Sequence, residues 1–201
     1  LEFRRVLFRS LLEMSDEESE VHARERLEAL LGAALEQACA SDALVAESLA
    51  QAQAMWHVRE SITLAQAEEG LNIKHDISLP VSCIAQFCEY TDALIEHELP
   101  GVRLVNFGHL GDGNLHYNVQ CAPGADSAAF LEQQEERVNT LVFDAVRRFG
   151  GSISAEHGVG ELKRDKLPHY KSAVALQMMQ SIKQALDPHN LMNPGRVLPR
   201  P

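Results

Sequence analysis

The chain has 201 residues, 45% hydrophobic and 23% charged, which suits a soluble globular protein long enough to bury a real core. Its net charge of −11 argues against a nucleic-acid binder, which needs a basic face for phosphates, and against docking on an anionic bilayer. No apolar run approaches the ~20 residues of a membrane span. Cys39, Cys83, Cys88 and Cys121 form no CxxC pair and fit reduced thiols, and the reading places the chain in the cytoplasm or at the periphery of a membrane.

The opening "LEFRRVLFRS" holds three arginines and one glutamate and does not match the acidic remainder. Residues 1–10 are read as a cloning or assembly artefact, and 11–201 as one domain of a longer protein. "LLEMS" (Leu11–Ser15) predicts a short strand. The next segment starts with acidic residues and places Leu27, Leu30, Leu31, Ala34 and Leu35 on one helical stripe. A second helix, with an internal break, is expected from Ala43 to Glu69 and capped by Gly70. In Leu71–Pro80, Ile73, His75 and Ile77 alternate with Lys74, Asp76 and Ser78, the periodicity of a strand.

A helix follows and ends at Pro100-Gly101. "VRLVNFGHL" and "NLHYNVQC" read as strands separated by "GDG". "AAFLEQQEERVNTLVFDAVRRFG" is an amphipathic helix, "GSISAE" a short strand running into a glycine loop, and "SAVALQMMQSIKQAL" the last helix. The tail from Asp187 is irregular. The fold class expected is α+β, a mostly antiparallel sheet flanked by helices.

The chemistry gathers in two places. His109 and His116 flank Gly111 and Gly113, which permit a tight reversal that turns both imidazoles to one side. His116 and Asn118 share a strand face, while Leu115, Tyr117 and Val119 take the other. Two imidazoles and a carboxylate form a common three-ligand site for a divalent metal, and Glu156 is the candidate carboxylate. His157 beside it suits a general base. The residues alone also admit turn histidines that bond to solvent, an Asp112 that caps its own backbone, and surface ion pairs for Arg59 and Lys74. A flavin-free metal hydrolase and a non-catalytic binding module stay open at this point.

"NFGHLGDGNLHYNV", "GSISAEHGVGELKRDKL" and "LDPHNLMNPGRVLP" resemble, in this order, three motifs of the C-terminal domain of FAD-linked oxidases. The branch they resemble is that of the D-2-hydroxyacid dehydrogenases, and the likeness covers Leu11 to Pro199. It implies a cap-type domain that holds substrate and metal, while FAD is bound mainly by an N-terminal domain outside this chain, so that the chain alone is expected to be inactive. It also implies zinc or manganese on His109, His116 and Glu156, with His157 as the base. "MWHVRESITLAQAEEGLNIKHDISLPVS" resembles a substrate-carboxylate pocket, with Arg59, Thr63 and Lys74 joined by Asn118 and His157. Two cations suit a dicarboxylate, so 2-hydroxyglutarate is favoured over D-lactate or glycolate. Asn193 in "NPGR" is implied to lie near the flavin. The electron acceptor, whether flavoprotein, quinone or cytochrome, is left open.

Overall fold

Alternation of apolar and polar side chains builds a three-stranded sheet, seen in a computed structural model that describes residues 9–198. Residues 1–8 of the opening segment and 199–201 of the tail lie outside the described residues. The chain divides into two units, Leu1–Glu69 and Gly70–Pro201.

In the second unit, β1 (Asn72–Ser78), β2 (Arg103–His109) and β3 (Asn114–Gln120) pair in the order β1-β3-β2, antiparallel throughout. The register sets Asp76 and Phe107 opposite His116, Lys74 and Val105 opposite Asn118, and His109 opposite Asn114. Paired residues of an antiparallel sheet share a face, and neighbours along a strand alternate. One face therefore carries Ile73, His75, Ile77, Leu115, Tyr117 and Val119. The other carries Lys74, Asp76, Phe107, His109, His116 and Asn118.

Two helices close the apolar face. On α4 (Ile84–Glu98), Ile84, Phe87, Cys88, Thr91 and Ile95 recur at helical spacing and are buried. On α5 (Ser127–Arg148), Val138, Val142 and Val146 do the same at intervals of four. Asp126 starts α5 by accepting hydrogen bonds from the Ala128 and Ala129 N–H groups. The core accommodates a few polar groups with partners. Tyr117 Oη donates to Asp92 Oδ1 at 2.8 Å. His75, 1% exposed, bonds through Nδ1 to the Tyr117 carbonyl at 2.7 Å and meets the Phe143 ring edge-on. Burial lowers its pKa to about 4. Burial likewise pushes the Cys88 thiol up to about 12, so it packs as an inert hydrophobe. All four cysteines are free.

The β2–β3 turn depends on one glycine more than on two. Gly113 has φ +78°, and a Cβ there would lie 2.0 Å from the Leu79 carbonyl oxygen. Gly111 has open space around its Cβ position and no positive φ. Asp112 does cap its own turn, accepting from the Asn114 N–H at 2.9 Å.

Several expected elements are corrected. "LLEMS" forms no strand: residues 11–16 are irregular, and Ser19 caps α1 (Glu20–Glu36). The α1 stripe is only half realised. Leu27, Leu31 and Ala34 are partly covered, but Leu30 and Leu35 are exposed and no residue of the helix is buried. The second expected helix begins later and breaks at Ser61 into α2 (Leu49–Glu60) and α3 (Ile62–Glu68). "GSISAE" contributes a single bridge, Ser152 to Ser78, and no strand. The short α6 (Leu167–Tyr170) and then α7 (Ala173–Leu186) follow.

Candidate metal and substrate site

The polar face of the sheet and the loop after Ser152 build the site. Asp76 on β1 and Phe107 on β2 flank His116 on the central strand. The Phe107 and His116 rings lie 4.9 Å apart, centre to centre. The loop brings Glu156 over this strand, with its Oε1 3.3 Å from His116 Nε2 and 3.7 Å from His157 Nε2. The two imidazoles are 5.6 Å apart. One donor atom from each of Asp76, His116, Glu156 and His157 falls within 4.8 Å of all the others. His116 forms the floor at 16% side-chain exposure, and Glu156 and His157 face solvent at 51% and 64%. The His116 imidazole and the Glu156 carboxylate, so close together, offer two donors of the kind that zinc or manganese takes, while His109 is not gathered with them.

Asp76 is the member of this group that the motifs do not reveal. It is 4% exposed, and backbone N–H groups of the loop point at it. Burial acts to raise its pKa, but hydrogen bonds from the His157, Glu156 and Ala155 N–H groups outweigh burial and hold it below the ordinary value. Below the loop, Lys163 Nζ donates to the Ile153 carbonyl at 2.7 Å. Burial lowers the Lys163 pKa, and the Asp76 charge partly offsets this. The available signal for Asp76 was a short acidic side chain in mid-strand, where aspartate is disfavoured unless something holds it.

The other sequence-predicted residues fall as follows. His109 is exposed and stands on the same face as His116, two residue pairs along the β2–β3 ladder and outside the four-residue group. Asn118 is 3% exposed, and its Oδ1 accepts the His75 N–H at 3.3 Å, which fixes the amide beside Lys74. Lys74 is exposed at the same level of the sheet. Arg59, in the last turn of α2, and Thr63, on α3, belong to the unit Leu1–Glu69. Asn193 is exposed, has φ +48°, and accepts the Arg196 N–H at 3.1 Å, so it opens a turn. It lines a cavity of about 1050 Å³ together with Lys183, Asp187, Met192 and Arg196.

Residues 10–197 match the family model described as FAD linked oxidases, C-terminal domain. The chain belongs to that family. It is 42% identical to a D-2-hydroxyglutarate dehydrogenase of Xanthomonas citri pv. viticola over 163 residues, covering 81% of this chain and 34% of that protein. It is 37% identical to the mitochondrial D-2-hydroxyglutarate dehydrogenase of Arabidopsis thaliana over 185 residues, covering 90% of this chain and 31% of the relative. A putative mitochondrial D-lactate dehydrogenase of Schizosaccharomyces pombe is 34% identical over 182 residues, covering 86% and 34%. The chain thus spans about a third of the length of these curated relatives. Among the described residues, no helix is long and apolar enough to cross a membrane. The sheet-and-helix architecture agrees with the α+β class expected from the sequence.

Proposed function

We propose that this chain is the substrate- and metal-binding part of an FAD-dependent dehydrogenase that oxidises a D-2-hydroxy acid to the 2-oxo acid, with 2-hydroxyglutarate favoured over D-lactate or glycolate. The observation that carries the reading is the meeting of His116, Glu156 and His157 on the polar face of the sheet. In this reading His116 and Glu156 hold zinc or manganese, with His109, two residue pairs along the same face, as third ligand. When bound, the ion supplies Lewis-acid polarisation of the substrate hydroxyl, and the flavin supplies the acceptor for the C2 hydride.

The chain's own side chains do the rest. His157 Nε2, beside the metal-holding carboxylate, takes the proton from the 2-hydroxyl. Lys74 and Asn118, paired across β1 and β3, bind substrate oxygens at the next level of the same face. Arg59 and Thr63 are proposed as further contacts for the substrate carboxylates, since a bidentate guanidinium suits a planar anion. The described residues offer no glycine-rich strand-to-helix turn for a dinucleotide pyrophosphate. Gly111–Gly113 lies between two strands, and Gly158–Gly160 precedes a helix of four residues. FAD is proposed to be held mainly by residues outside this chain, as the family resemblance implies, with Asn193 near the flavin. The compartment proposed is the cytoplasm or the surface of a membrane.

The test is substrate choice in the full-length enzyme. Lys74→Ala should lower kcat/KM for D-2-hydroxyglutarate by about 10–100-fold, the worth of one charge-assisted hydrogen bond. For D-lactate the loss should stay below about threefold. Equal losses would contradict the dicarboxylate assignment. Turnover by the chain alone, with zinc and no flavin, would contradict the oxidoreductase reading.

A further inference from the structure

We propose that Asp76 and Lys163 form a clamp that grips the segment Ile153–His157 from both sides and so sets Glu156 and His157 against His116. The inference rests on the reading of His116 and Glu156 as metal-holding residues and adds two positioning residues to it.

The segment needs such a clamp. Ser152 makes the single bridge to Ser78, and among the described residues no further backbone pairing follows before Val159. The two functional side chains thus stand on backbone that belongs to neither sheet nor helix. Residues 155–157 are exposed, but Ile153 and Asp76 are buried at 3% and 4%, and their polar groups need partners, because an unpaired buried polar group costs about as much as a lost hydrogen bond.

Asp76 supplies the partners for the donors. Its Oδ2 accepts from the Ala155 N–H at 3.0 Å, the His157 N–H at 3.0 Å and the Ser154 hydroxyl at 3.3 Å. The Glu156 N–H lies 3.3 Å from both carboxylate oxygens. Three consecutive N–H groups converging on one anion form a nest, here wrapped around a side chain of the same protein. The acceptor side belongs to Lys163. Its Nζ donates to the Ile153 carbonyl at 2.7 Å and to the Asp76 carbonyl at 3.4 Å. An anion and a cation thus hold the two kinds of backbone group in one short segment, and each partly compensates the burial of the other.

This arrangement separates Asp76 from the donor atoms around it. Its oxygens lie within ligand range of the group, but Oδ2 takes the Ala155 and His157 N–H groups and Oδ1 shares the Glu156 N–H. Asp76 sits on rigid β1 directly opposite His116, so it ties the loop to the strand that carries the other ligand. Its influence on a bound ion passes through Glu156 and His157.

The experiment uses Asp76→Asn and Lys163→Met in the full chain, with Mn²⁺ alone as the probe. Amide exchange at Ala155, Glu156 and His157 should accelerate by about tenfold or more in both variants, while Val119 in the central strand keeps its rate. Mn²⁺ affinity should fall about 10–100-fold in Asp76→Asn, as for residues that orient ligands. In a Glu156→Gln background, Asp76→Asn should add less than about threefold, because it then has one ligand fewer to orient. Unchanged exchange in both variants would overturn the clamp. Full additivity with Glu156→Gln would overturn it too, since Asp76 would then bind the ion itself. Should Asp76→Asn not fold, the exchange rates of Lys163→Met decide. Absence of Mn²⁺ binding by the parent protein would sink the metal reading, and the exchange rates would still judge the clamp.

Discussion

His75 and His116 stand on adjacent strands of one sheet and have opposite fates. The register pairs Asp76 with His116 and His75 with Tyr117, so the two imidazoles point to opposite faces. His75 is sealed among Phe143, Tyr117 and the core, and burial keeps it neutral well below its ordinary range. His116 forms the floor of a solvent-facing cluster with two neighbouring donors. Residue type does not separate a structural histidine from a candidate ligand. The face of the sheet does, because it decides whether the ring meets hydrocarbon or other chemical groups.

The contrast between the faces can be broken first from the apolar side. Phe87 is completely buried, and Phe87→Ala should cost about 3–5 kcal/mol in urea unfolding. Mn²⁺ affinity of the remaining folded protein should be unchanged. A large loss of affinity would mean that the polar face has no independence from the core beneath it.

Acid should act on the core through His75. Its pKa is lowered on folding, from 6.5 to about 4, so protonation favours the unfolded chain. The stabilisation it gives is fully present above pH 6.5. It fades as the pH falls toward 4, by about 3 kcal/mol in all, at 1.36 kcal/mol per pKa unit. Urea titrations at pH 7, 5.5 and 4 should show this slope, and His75→Gln should flatten it. The same slope in both proteins would contradict the assignment.

On the polar face, His116→Ala should weaken Mn²⁺ binding by more than the roughly 10–100-fold expected of a supporting residue. Titration calorimetry reads this, and the stability loss should stay below that of Phe87→Ala. The smallest change belongs to Lys74. It is exposed, so Lys74→Ala should shift unfolding by no more than about 0.5 kcal/mol. Its effect is expected in substrate choice, and a large destabilisation would place it in the framework instead.

Much of this division can be read in the sequence. The alternation through Ile73, His75 and Ile77 and through Leu115, Tyr117 and Val119 sets the apolar face before any coordinates are known. The motif residues His116, Glu156 and His157 mark the candidate site. What stays hidden depends on partners far away in the chain. Asp76 reads as an ordinary solvent-side strand residue, because its donors come from residues 154–157, about eighty positions later. "GSISAE" has the composition of a strand, but after Ser152 its backbone bonds go to a carboxylate and an ammonium instead of a neighbouring strand. "LLEMS" has strand composition, yet residues 11–16 are irregular. His109 and His116 do reach one face, as the turn glycines suggested, but the register sets them two residue pairs apart and leaves His109 exposed.

The central claim is that the polar face holds a divalent ion between β3 and the Glu156 loop. Anomalous diffraction from crystals soaked in Mn²⁺ tests it most directly. A peak within about 2.0–2.3 Å of His116 Nε2 and a Glu156 oxygen is expected, with Asp76 still bound to the loop N–H groups. A peak elsewhere, or none at saturating Mn²⁺, would contradict the account.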